Sequence, residues 1–149
     1  MACTFDANIL VYTLPSPANA KRQHARELLI RAARNPANVL LLQALGEFSH
    51  VAARKFGLNV ASIRRRVEDW CAAMGVRAAE EEDLSAALSL GERHRLGFWD
   101  ALMCATAERV GIKYLLSEDM QDGRRFGDLT IVNPFRPENA GLIDRILPP

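Results

Sequence analysis

The sequence predicts an α/β fold: a mainly parallel sheet with helices on both faces. Three observations carry this. Short apolar runs of strand length are separated by longer stretches in which apolar residues recur every three or four positions. The strand–helix alternation repeats through the chain, as parallel crossover units require. The chain has 149 residues, 49% hydrophobic and 25% charged, enough for one domain spanning residues 1–149 with a substantial core.

Thr4 to Val11 begins as a short buried strand, with Asp6-Ala7-Asn8 at its end. Pro15, Pro17 and Asn19 mark a loop. Ala20 to Ala33 reads as a helix with Ala25, Leu28, Leu29 and Ala32 inside, and Asn35-Pro36 stops it. Asn38 to Leu42 is a strand. Gln43 to Phe56 is a helix with Leu45, Phe48, Ala52 and Phe56 on one stripe and Gly57 as its cap. Val60 to Ala73 is a helix striped by Ile63, Val67 and Trp70, and Gly75 to Ala78 is a short strand. Glu81 to Arg95 places its acids early and its basic residues late, as the helix dipole favours. Asp100 to Val110 is a helix ended by Gly111; Tyr114–Leu116 and Leu129–Val132 are strands. Pro134 and Pro137 close the ordered pattern.

The net charge is only +1, but it is polarised. Residues 21–66 carry ten Lys/Arg and two acids, while residues 67–122 carry five basic and twelve acidic residues. A basic half beside an acidic half fits a polyanion-binding surface next to a cation-binding cleft. The three cysteines, Cys3, Cys71 and Cys104, form no CxxC pair and argue against a disulfide framework or a zinc site. The N-terminus lacks the positive region of a secretory signal and no apolar run spans a bilayer, so a cytoplasmic setting without membrane attachment is expected. Dinucleotide and phosphate-binding glycine loops, a GxSxG elbow and HExxH are all missing. His24, His50 and His94 are scattered and read as surface residues.

Four acids stand beside apolar sequence: Asp6, Glu47, Asp100 and Asp119. Isolated carboxylates beside a core are costly. Gathered at one end of a sheet, where such folds bind ligands, they would repel one another unless a divalent cation neutralised them. Singly, each has a local alternative. Asp6 fits a helix cap or turn, and Glu47 a solvated helix edge. Asp100 fits an N-cap, although its flanking Phe98-Trp99 goes beyond what a cap needs. Asp119 lies in the polar strand exit Ser117-Glu118-Asp119-Met120-Gln121-Asp122-Gly123, which does not match an EF-hand. A site of carboxylate oxygens favours Mg²⁺ or Mn²⁺ over zinc.

The order of these motifs resembles the PIN-domain ribonucleases, most closely the VapC-type toxins. The carrying segments are Phe5-Asp6-Ala7-Asn8-Ile9-Leu10-Val11-Tyr12, Leu45-Gly46-Glu47-Phe48, Phe98-Trp99-Asp100-Ala101-Leu102 with Ala105-Thr106-Ala107, and Leu115 to Gly123. The resemblance covers about Asp6 to Phe135. It implies a three-layer α/β/α sandwich around a mainly parallel sheet of about five strands. Asp6, Glu47, Asp100 and Asp119 would form the acidic pocket, with Asn8, Thr106 and Ser117 as supporting polar positions and Asp122 as an extra ligand or a surface residue. It further implies a Mg²⁺-dependent endoribonuclease that also accepts Mn²⁺, a homodimer, and a cognate antitoxin whose tail enters the active-site groove. Asp6, Asp100 and Asp119 would hold one or two ions that activate water and clamp phosphate oxygens, with Glu47 completing the site or orienting the water. Arg22, Arg26, Arg64, Arg65, Arg66, Arg124 and Arg125 are candidates for backbone phosphate contacts. The residues themselves do not separate RNA from DNA; RNA is the family's expectation.

Two other readings remain. A non-catalytic PIN-like module would bind RNA or protein without cleavage. A receiver or haloacid-dehalogenase-like phosphatase also places Asp at a strand end, but the phosphatase pattern wants a second Asp where this chain has Asn8.

Overall fold

The computed structural model describes residues 1–17 and 19–149. The chain runs β1 (Cys3–Phe5), α1 (Ala7–Tyr12), α2 (Arg22–Ala32), β2 (Val39–Leu41), α3 (Leu42–Phe56), α4 (Val60–Ala73), β3 (Gly75–Arg77), α5 (Glu81–His94) and α6 (Phe98–Arg109). It ends with β4 (Tyr114–Leu116), β5 (Arg125–Phe126), β6 (Leu129–Val132), a 3₁₀ turn (Pro137–Asn139) and α7 (Ala140–Ile146). The expected α/β class holds: a central, mostly parallel sheet is flanked by helices.

Four strands form that sheet in the order β1-β4-β6-β5, with β1, β4 and β6 parallel and β5 antiparallel to β6. The expected single sheet of about five strands is therefore divided, because β2 and β3 pair in parallel as a separate ribbon. Asn38 joins the two. Its Oδ1 accepts from Cys3 N–H at 2.9 Å, and its amide donates to the Ala32 carbonyl at 3.0 Å. This side chain supplies a hydrogen bond that strand pairing does not. Because β1, β4 and β6 are parallel, Phe5, Leu116 and Val132 all end at one edge.

The local rules explain most elements. Ala25, Leu28, Leu29 and Ala32 are all buried on α2. Leu45, Phe48 and Ala52 are buried on α3, whose chain reverses at Gly57 in the left-handed region, φ 62°. Asn59 caps α4 by accepting from Ser62 N–H at 2.8 Å.

Four departures have physical causes. The strand that begins the chain ends at Phe5, because Asp6 accepts from Ala7 N–H and starts a helix. α6 begins at Phe98 with Gly97 as its N-cap, so Asp100 lies inside the first turn and is not the cap. β5 escapes the sequence pattern because two residues show no period; Gly127, at φ 55°, turns it back onto β6. The ordered chain also continues past Pro134 and Pro137. Pro137 opens a 3₁₀ turn, where a missing N–H costs nothing, and α7 then buries Ile143 and Ile146.

Candidate active site

β1 and β4 end side by side, and the site is built on that edge. Asp6 N–H donates to the Leu116 carbonyl at 2.9 Å, which extends the pairing one residue beyond the strands. Asp6 is only 7% exposed. Its Oδ1 accepts from Ala7 N–H at 2.7 Å; its Oδ2 accepts from the Ser117 hydroxyl at 2.7 Å and from the Asn8 amide at 3.2 Å. Asn8 in turn accepts from Glu118 N–H at 3.3 Å, and Ser117 Oγ accepts from Met120 N–H at 3.2 Å. Asn8 and Ser117 thus hold the aspartate and the strand exit together. Burial pushes the Asp6 carboxyl up to about 6, and the charges of Asp100 and Glu47 add to this, against the opposing hydrogen bonds from Ser117 and Ala7.

The other acids arrive from separate segments. Asp100, Glu47 and Asp119 line the same cavity as Asp6, of about 770 Å³. Gln43 orients Glu47: its amide donates to Glu47 Oε1 at 2.9 Å and to the Trp99 carbonyl at 2.8 Å, tying α3 to the first turn of α6. Loss of surrounding water, then the charge of Asp119, raises the Asp100 carboxyl above its usual value. The carboxylates therefore feel one another.

Several residues lie where the sequence did not place them. Thr106 turns away from the cavity and donates to Asp83 Oδ2 at 3.2 Å. Asp83 is buried and also accepts from Arg109 Nε at 2.7 Å, so this is a clamp between α5 and α6. Asp122 does not line the cavity. Its Oδ1 accepts from Asn133 N–H at 2.7 Å and the Asn139 amide at 2.8 Å, bracketing the chain after β6. Glu118 pairs with Lys21. Burial works to raise the Glu118 carboxyl, but Lys21 and the Tyr12 hydroxyl outweigh it and hold it below the usual range.

The arginines separate in the same way. Arg22, Arg26 and Arg66 converge from α2 and α4; burial, then the charges of Arg22 and Arg26, depress the Arg66 guanidinium. None of the three has an acidic partner within salt-bridge distance among the described residues. Arg64 faces Glu68 at 3.7 Å, and Arg65 is exposed. Arg124 donates to the His94 carbonyl and lies 5.0 Å from the Phe126 ring. Arg125 pairs in register with Thr130, and Thr130 with Tyr114, so it sits at the opposite end of the sheet from Asp6. His50 is exposed, as the sequence reading expected, and with Lys55 of the basic 21–66 segment it lines the acidic cavity from α3. Their signal was helical spacing: His50 lies three residues beyond Glu47, on one face.

Among the described residues, no three of His, Cys, Asp and Glu converge closely enough to hold a metal ion directly. The donor chemistry nonetheless suits a hard cation: oxygen ligands only, with mutually repelling charges that a cation would relieve. A hydrated Mg²⁺ fits such a spread, since it keeps several waters and takes one or two carboxylates. No helix among the described residues is long and apolar enough to cross a membrane.

The sheet carries carboxylates at the exits of its parallel strands, and the chain belongs to the PIN domain family, whose model matches residues 3–125. Solved structures agree in fold. A toxin–antitoxin complex from Klebsiella pneumoniae aligns with a TM-score of 0.66 at 21% identity, covering 89% of this chain and 98% of the other. VapC20 of Mycobacterium tuberculosis, described as a sarcin-ricin-loop-cleaving toxin, aligns at 0.64 and 19%, covering 78% and 89%. VapBC2 from Rickettsia felis, bound to a promoter DNA fragment, aligns at 0.62 and 14%, covering 88% and 97%. No curated protein matches the chain in sequence.

Proposed function

We propose that this protein is a Mg²⁺-dependent endoribonuclease, the toxin of a toxin–antitoxin pair. One observation carries the reading: Asp6, Glu47, Asp100 and Asp119, from four separate segments, line one cavity at the carboxyl edge of the sheet. The PIN family membership and the toxin complexes among similar structures support it.

Asp6, Asp100 and Asp119 are the residues that would hold the ion, with Mn²⁺ able to replace Mg²⁺. A bound divalent ion would supply an acidified water and neutralise phosphate charge. Asp6, pinned by Ser117 and Asn8, keeps its carboxylate fixed as the substrate enters. Glu47, pinned by Gln43, orients the attacking water. A new oxygen–phosphorus bond forms as the bond to the leaving oxygen breaks, and that oxygen takes up a proton. Arg22, Arg26 and Arg66, which have no acidic partner among the described residues, are the phosphate contacts with the best support.

A homodimer fits the exposed apolar side chains Leu42, Leu84, Leu88 and Trp99, the last 63% exposed. A non-catalytic binding role is disfavoured because all four acids are present.

The test is Asp100→Asn. It should lower metal-dependent RNA cleavage by at least about 10²-fold, the scale of a lost catalytic group, with no loss of melting temperature. A D100N protein that cleaves at the parental rate would sink the site assignment. Calorimetry with Mn²⁺ separates catalysis from passive binding, since a passive module would take up no metal.

A further inference from the structure

The acidic cavity continues beyond its carboxylates. Val11 and Tyr12 line it, and they also line a neighbouring hollow of about 330 Å³. Ala20, Lys21 and Phe56 complete the walls of that hollow that matter here. Its surface is mainly apolar, and two half-buried aromatic side chains, Tyr12 and Phe56, contribute to it.

The hollow is built as well as open. The Asn19 amide donates to the carbonyls of Tyr12 and Leu14, and its Oδ1 accepts from Lys21 N–H at 3.2 Å. These bonds fix the rim. The Lys21 ammonium is paired with Glu118 and lies 5.1 Å from the Tyr12 ring and 4.9 Å from the Phe135 ring. Tyr12 meets Phe135 edge-to-face at 5.3 Å. Lys21 is thus already neutralised, and what the hollow offers is a fixed apolar and aromatic wall with little net charge.

We propose that this hollow takes one unstacked nucleobase of the RNA strand whose phosphodiester lies in the acidic cavity. The inference rests on the nuclease reading and names a subsite that would seat one base of its substrate strand. Sequence-specific proteins read single-stranded RNA by splaying bases out onto aromatic side chains. Every base has a π-face suited to such a wall, and a strand threading the acidic cavity would carry a base past Tyr12. An acidic peptide fits less well, because Lys21 has no free charge for it and the adjoining wall is carboxylate.

The experiment uses D100N, so that binding is read without cleavage. Fluorescein-labelled pentaribonucleotides, intact or abasic at one position each, are titrated in Mg²⁺ by anisotropy. One abasic position should weaken binding about tenfold, as loss of one stacked base does. Ala20→Trp, which plugs the hollow from an exposed position, should impose the same loss on the intact RNA and abolish any further effect of the abasic site. Phe56→Leu, which keeps apolar bulk but removes the ring, should act in the same direction, with folding of both variants checked by thermal melting. The proposal is overturned by no measurable binding, by equal affinities for intact and abasic strands, or by an abasic penalty that survives both substitutions. Base-dependent binding without any cleavage by the parent protein would overturn the nuclease reading and leave this site standing.

Discussion

Asp6 is costly to bury. At 7% exposure its carboxyl is pushed up to about 6, from an ordinary value of 3.8. A folded-state pKa above the unfolded one means that the folded protein holds a proton that the unfolded chain has lost between these values. The penalty is complete above about pH 6 and is relieved as pH falls toward 4. A shift of this size corresponds to about 3 kcal/mol as an upper figure. In metal-free buffer, Asp6→Asn should therefore be more stable than the parent at pH 8, and the two should converge near pH 4. Urea midpoints across that range test this, and parallel pH curves would refute it. Burial likewise pushes the Cys3 and Cys104 thiols up to about 12, whereas Cys71 is exposed. One of the three thiols should react promptly with a disulfide reagent at pH 8, and the other two only on unfolding.

Between elements, Asp83 forms a polar clamp from α5 to α6. Burial works to raise the Asp83 carboxyl, but Arg109, Glu80 N–H and Thr106 outweigh it and lower it. A lowered folded-state value gives stability that is present above the unfolded pKa and lost as pH falls through the folded one. Asp83→Ala removes the buried acceptor shared by Arg109, Thr106 and Glu80 N–H and should cost about 1–2 kcal/mol, read by chemical denaturation, with cleavage per folded molecule unchanged. Gly57→Ala should cost about 1 kcal/mol, since α3 ends there in the left-handed region. Helices α2 to α5 were legible because their apolar stripes, the Gly57 cap and the charge order of α5 are local signals. β5 was not, because its two residues are a strand only through pairing with β6.

Across the whole molecule, the charge polarity visible in the sequence becomes a spatial arrangement. Arg22, Arg26 and Arg66 stand together with no acidic partner among the described residues, while the carboxylates gather at the sheet edge. If these arginines contact phosphates, Arg66→Ala should weaken RNA binding for every sequence alike. It should also reduce the slope of log affinity against log salt by about 0.7. Arg125→Ala, at the opposite end of the sheet, should leave that slope unchanged. A slope insensitive to Arg66 would remove it from the RNA path.

The sequence by itself determined the fold class, most element types and the identity of the four acids that line the cavity. These depend on local apolar period, caps and strand exits, which act over a few residues. The tertiary structure decided which neighbouring polar groups join them. Ser117 meets Asp6, and Asn8 meets Glu118 N–H, because β1 pairs with β4. Thr106 and Asp122 carry equally polar side chains, but packing against α5 and the chain after β6 turns them elsewhere. His50 and Lys55 face the cavity because α3 lies along it. Which polar groups end up facing one another and the lateral order across a sheet follow from long-range packing, which no local window contains.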